Sequence, residues 1–188
     1  MSTERTRVDL SRFNNADFPK GAGAVKMTLW YFTNALFFQN PCFPFRGVKP
    51  GLLRLFGARV GKGVVIHPGV NIKYPWKLVI GDHCWIGQRA WLDNIDHLTL
   101  GNNVVISQGG MIIQGSHNYK KADYPTMSGP VTLEDGSWVG AGAMVMLGVT
   151  LRSHSVLSAG SVATKDLEPY MIYQGNPAMP VRERIIEA

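Results

Sequence analysis

The sequence predicts an all-β solenoid, in which short parallel strands wind into a three-sided coil behind a helical N-terminal segment. Three observations predict it. An aliphatic residue recurs every six positions through Val60, Ile66 and Ile72, then Ile80, Ile86 and Leu92, then Leu100, Ile106 and Ile112, and after a break Leu133, Val139, Val145, Leu151 and Leu157. Two eight-residue steps, Ile72 to Ile80 and Leu92 to Leu100, convert three six-residue steps into a unit of twenty. The fourth residue after each aliphatic one is small or β-branched, as a crowded corner requires: Val64, Val70, Cys84, Ala90, Val104, Gly110, Ser137, Ala143, Val149, Ser155 and Ser161.

A six-residue period fits neither an amphipathic helix nor a plain alternating strand, but it suits short strands separated by corners. Each aliphatic side chain then points into the prism and stacks on its equivalent about 4.8 Å away along the axis. Burying each contributes roughly 1.5–3 kcal/mol. The exceptions to the small-corner rule are Trp76, Asp96 and Ser116, again twenty apart, so one corner is widened in coil after coil. At Ser116 it opens into a loop of about a dozen residues before the pattern resumes near Val131, and long loops in compact repeats are candidate functional sites. This loop holds Gly115-Ser116-His117-Asn118-Tyr119.

In order along the chain, residues 1–58 form an N-terminal segment with one helix. Residues 59–168 form the solenoid with its loop at 115–130, and residues 169–188 form a tail. At 188 residues this is one domain with an appendage. The stretch from Met27 to Phe45 lacks charge but is interrupted by Thr28, Thr33, Asn34, Gln39, Asn40 and two prolines. It reads as a helix over Val25 to Phe38 packing on the solenoid or on a neighbouring subunit. Contact with a membrane surface is the alternative that those polar interruptions disfavour. The polar N-terminus gives no sign of a signal peptide, and the two cysteines, Cys42 and Cys84, suit a cytoplasmic protein without disulfides. A net charge of +6, without an aromatic-interleaved basic strand face, argues against nucleic acid and suits a small polyanionic ligand.

Several motifs carry a resemblance. They are Tyr74-Pro75-Trp76-Lys77-Leu78, Ile80-Gly81-Asp82, Trp85-Ile86-Gly87, Trp91-Leu92-Asp93-Asn94, Gly115-Ser116-His117, Trp138-Val139-Gly140-Ala141-Gly142-Ala143, Ala159 to Asp166, and Gly175-Asn176-Pro177-Ala178. From about Phe43 to Arg182 the chain resembles the hexapeptide-repeat acyltransferases with a left-handed parallel β-helix. Within them it is similar to the maltose/galactoside and nodulation-type O-acetyltransferases, and most of all to those of colanic-acid and other exopolysaccharide pathways. The resemblance implies left-handed winding, an exception to the usual hand of parallel crossovers. It also implies a homotrimer with acetyl-coenzyme A clefts between prisms. A prism wall exposing Trp85, Trp91 and Trp138 would favour such association.

Acetyl transfer from a thioester to a sugar hydroxyl needs a base, donors for an oxyanion and a slot for coenzyme A. Neutral imidazole suits the first task, and the resemblance makes His117 the catalytic base. No cysteine is placed as an intermediate nucleophile, so direct attack is expected. The resemblance assigns Trp138, Gly140, Ala141 and Gly142 to the thioester and pantetheine arm, with the Ala141 amide as oxyanion donor. It assigns Ala159, Thr164, Lys165 and Arg182 towards the nucleotide end, where the cations meet phosphates. Tight packing at corners would account for the same glycines and alanines without any ligand. On the acceptor side the candidates are Asp93, Asn94 and Tyr119. Relatives use an asparagine one coil before the histidine, but this chain has Gly87-Gln88-Arg89-Ala90-Trp91 there. Corner turns alone would also account for Asp93 and Asn94, and Tyr119 is equally suited to shaping the loop.

Two other readings compete. A trimeric prism can carry a carbonic-anhydrase-like zinc site, and His83 and His117 are suggestively spaced, but the position for a third ligand is Ala122. No metal is expected. His67, His97 and His154 fall at outward positions of the repeat. A non-enzymatic scaffold is the other, since a fold alone does not fix function.

Overall fold

The computed structural model describes residues 6–187, so the first five residues of the N-terminal segment and the last of the tail lie outside the described residues. The solenoid builds one coil at a time. The first comprises β1 (Arg59–Val60), β2 (Val65–Ile66) and β3 (Asn71–Ile72); the second comprises β4 (Leu78–Ile80), β5 (Trp85–Ile86) and β6 (Trp91–Asp93). The third comprises β7 (Leu98–Leu100), β8 (Val105–Ile106) and β9 (Met111–Ile113). A hairpin of β10 (Gly115–His117) and β11 (Thr126–Ser128) interrupts the winding. It resumes with β12 (Val131–Leu133), β13 (Trp138–Val139) and β14 (Met144–Met146), then β15 (Thr150–Leu151), β16 (Val156–Leu157) and β17 (Val162–Ala163).

Stacked strands give three parallel walls, β1-β4-β7-β12-β15, β2-β5-β8-β13-β16 and β3-β6-β9-β14-β17. The fold is the three-sided parallel β-helix that the six-residue period predicts. Register follows the twenty-residue unit from Ile66 to Ile86 and Ile106, and then passes over the hairpin to pair Ile106 with Val139. Every aliphatic residue of the repeat is buried except Val60, which is half-covered in the open first coil. The corner after the first wall is held by a side-chain ladder. The Lys62 amide donates to Asp82, the Asp82 amide to Asn102 and the Asn102 amide to Asp135, at 2.7–2.9 Å. A Cβ on Gly101 would sit 2.3 Å from the Asp135 carboxylate, so the ladder demands glycine there.

Two expectations need correction, and one gains detail. The N-terminal segment holds two helices, α1 (Ala24–Thr33) and α2 (Val48–Leu55), and α1 continues into a π turn over Asn34–Gln39. Docking explains the first: the Trp30 indole donates to the Ile72 carbonyl (2.9 Å) and Asn34 to Asn71 (2.8 Å), which pins α1 along the third wall. The tail is a hairpin, β18 (Met171–Gly175) and β19 (Ala178–Glu183), which extends the second wall through pairing of β16 with β18. Trp85 and Trp138 share that second wall, whereas Trp91 lies on the third, so the three tryptophans do not form one face.

Candidate active site

The widened corner delivers His117. Ile112 is the last core residue before it, and β10 pairs antiparallel with β11, placing His117 opposite Thr126. The Ser128 hydroxyl donates to Asp96 (2.8 Å), tying the hairpin's return strand to the preceding coil. Burial raises the Asp96 carboxyl, but hydrogen bonds from the His97 amide and Ser128 and the Lys77 charge prevail and hold it below the usual range.

The His117 ring has a defined orientation. Its Nδ1 lies 2.8 Å from the Tyr124 carbonyl. A carbonyl can only accept, so Nδ1 carries a proton in this contact, and in the neutral imidazole the lone pair is therefore on Nε2. Phe13 packs edge-on against the imidazole with 5.6 Å between centroids. Phe13, Asn15 and Phe18 join His117, Ser116, Thr126, Lys73, Tyr74 and Asp93 around one cavity of about 400 Å³. Lys77 and Trp76 hold that N-terminal segment in place by donating to the Pro19 and Lys20 carbonyls. A second cavity continues from the first across Lys73, Tyr74 and Asp93 to Asn71, Gln39, Tyr31 and Trp91. The Lys73–Asp93 ion pair, 2.9 Å, stands between them.

Among the acceptor-side candidates, Asp93 lines both cavities. Asn94 is a correction. It is fully buried, its Oδ1 accepts from the Lys73 and Tyr74 amides (3.1 and 3.2 Å), and its Nδ2 donates to the Tyr74 carbonyl at 2.7 Å. Its amide is spent on closing the corner and offers nothing to a substrate. Tyr119 stands 75% exposed and lines neither cavity.

The residues assigned to a donor gather elsewhere. Trp138, Gly140, Ala141, Ala159 and Arg182 line one groove on the second wall, with Ser107 and Arg184. The Trp138 indole donates to Ser107 (2.8 Å), fixing the ring on the wall. A Cβ on Gly140 would lie 2.5 Å from the Ala159 nitrogen, so close stacking of coils accounts for this glycine whether or not a ligand is present. Among the described residues the Ala141 amide has no backbone acceptor. Gly142, Thr164 and Lys165 are exposed and do not line the groove. Arg184, which the sequence did not single out, donates to the Gly136 and His154 carbonyls and anchors the tail hairpin (2.9 and 3.0 Å).

The His117 cavity and the Trp138 groove share no lining residue. Among the described residues, no three His, Cys, Asp or Glu side chains are arranged to hold a metal, and the zinc reading gains no support. Cys84 is buried with its thiol donating to the Gly101 carbonyl, and burial raises its pKa.

A family model for the hexapeptide repeat of succinyl-transferase matches residues 77–112 and 130–165. The Escherichia coli K12 protein named as the colanic acid biosynthesis acetyltransferase WcaF is 36% identical over 178 residues, 94% of this chain and 97% of its own length. The chain belongs to the hexapeptide-repeat acetyltransferases. The Escherichia coli galactoside O-acetyltransferase is 27% identical over 72% of this chain and 68% of its own length. Among solved structures, a hexapeptide-repeat acetyltransferase from Vibrio cholerae complexed with acetyl-coenzyme A superposes with a TM-score of 0.79 at 21% identity, covering 93% of both chains. A galactoside acetyltransferase in complex with coenzyme A gives 0.75 at 24% identity over 85% of this chain and 80% of its own.

Proposed function

We propose that this acetyltransferase moves the acetyl group of acetyl-coenzyme A to a hydroxyl of a sugar or exopolysaccharide precursor, with His117 as general base. The observation that carries the reading is the Nδ1 contact with the Tyr124 carbonyl, which leaves Nε2 as the basic atom of a histidine on a polar cavity wall. The acceptor hydroxyl attacks the thioester carbonyl directly while its proton passes to Nε2. The Ala141 amide steadies the tetrahedral oxyanion. Collapse of that intermediate breaks the C–S bond, and the departing thiolate takes the proton back from Nε2.

The acceptor occupies the cavity beside Asp93, Lys73 and Tyr74, where a carboxylate, an ammonium and an aromatic face suit a hydroxyl-rich ring. The donor lies in the Trp138 groove, with Arg182 towards its phosphates. Because cavity and groove share no lining residue within one chain, the reading places the groove of one copy against the cavity of the next, in the homotrimer that the resemblance implies. The names of the relatives support acetyl-coenzyme A as donor and an exopolysaccharide-type acceptor. The test is to incubate the protein with acetyl-coenzyme A and a panel of sugars, nucleotide sugars and oligosaccharides, and to read an acetyl mass increment. One acceptor should gain it with wild type and not with His117→Ala. Equal acetylation by both proteins would remove His117 from the chemistry.

A further inference from the structure

The helical N-terminal region carries a surface that the acetyl-transfer reading does not use. The buried flank of α1, with Trp30 and Asn34, docks on the solenoid. Its opposite flank presents Val25, Leu29, Phe32 and Leu36, spaced i, i+4, i+7 and i+11 as one helical stripe. These are 76%, 56%, 57% and 59% exposed. The stripe is not isolated, because Val25 and Leu29 line one groove with Leu55 and Phe56, and Phe45 is exposed on the connection between the helices.

Charge is distributed unevenly along this part of the chain. Between Asp17 and Asp82 the chain has nine Lys and Arg and no acidic residue; all thirteen Asp and Glu lie outside that interval. Lys49 is buried and Lys73 is paired with Asp93, but Lys20, Arg46, Arg54, Arg59 and Lys62 are exposed. An apolar, aromatic-bearing helix face on a segment that carries basic and no acidic residues, with Lys26 lining its groove, is the composition that lies in a lipid headgroup region. Among the described residues no helix is long and apolar enough to cross a membrane, so the contact is one of seating, not spanning. A second copy meeting this face through its own equivalent would bring two cationic regions together, which disfavours an isologous contact; a neighbour's different face is separated by the oligomeric mass measured below.

We propose that the α1 stripe, with Phe45 and Leu55, seats the protein on an anionic lipid surface. The experiment is co-sedimentation of the full chain with vesicles of phosphatidylcholine and phosphatidylglycerol, against phosphatidylcholine alone. Wild type should bind the mixed vesicles at least about tenfold more tightly, and added salt should weaken that binding. The pair Leu29→Ser with Phe32→Ser, and separately Lys20→Glu with Arg46→Glu, should each reduce it by about tenfold or more. All four side chains are exposed and lie outside the cavities, so circular dichroism, oligomeric mass and acetyl-coenzyme A affinity should not change. Equal or absent binding to the two vesicle types overturns the proposal, as does unaltered binding by both variants. A change of oligomeric mass in the serine pair overturns it too, because a neighbouring copy would then be what covers the stripe.

Discussion

The Trp138 groove and the His117 cavity lie on one solenoid but arise in opposite ways. The floor of the groove is made of the repeat itself: Ser107, Gly140 and Ala159 stand on successive coils, and strand stacking fixes their spacing, while the tail hairpin adds Arg182 and Arg184 at its side. The cavity is made of departures from the repeat. It needs the widened corner, the β10–β11 hairpin and an N-terminal stretch about a hundred residues away in sequence. Repetition supplies a rigid slot for an extended molecule, and interruption supplies a reactive side chain and a shaped pocket.

The sharpest way to break this contrast is His117→Ala. Turnover should fall by about 10²–10⁴ while acetyl-coenzyme A affinity, read by calorimetry, stays at the wild-type value. Filling the slot should do the reverse. Ala159→Trp, on an exposed groove position, should raise KM for the donor by more than about tenfold, with the circular dichroism spectrum of the fold preserved. A smaller pair of effects separates two adjacent residues. Asn94→Ala should cost about 1–3 kcal/mol in a denaturant titration, because it strips buried amides of their partner. Asp93→Asn should leave that stability largely intact and alter KM for the acceptor.

The smallest effect lies at the base of α2. Lys49 donates to the His67 carbonyl at 2.9 Å, and burial, then the Arg46 charge, lowers its pKa from 10.5 to about 8. Between those values the unfolded chain binds more protons at this site, so its contribution to stability rises with pH across the window and is smallest below about 8. Thermal melts from pH 7.5 to 10.5 should show that rise, and Lys49→Met should flatten it.

The coils were legible because a buried aliphatic every six residues fits few other architectures, and Ile66 through Leu157 fill the core as that period requires. The hairpin was legible as a break in the same rhythm. Asn94 was not, since an asparagine at a corner can serve a turn or a ligand, and only burial with three hydrogen bonds decides between them. Nor was the role of Phe13 and Phe18. Two aromatics in a polar run were the only local signal, and His117, on which Phe13 packs and whose cavity Phe18 lines, is distant in sequence. The short α2 was hidden by Pro50 and Gly51, which local propensity counts against a helix although packing of Leu53 secures it.

Whether groove and cavity meet across copies is best decided by complementation. His117→Ala and Ala159→Trp chains are mixed, dissociated and reassembled, and acetyl transfer is measured at a donor concentration far below the raised KM, where each chain alone turns over little. If the active site joins two copies, a one-to-one mixture should recover about a quarter of wild-type activity, since that fraction of interfaces pairs an intact hairpin with an intact groove. A mixture as inactive as its two parents would contradict the shared site.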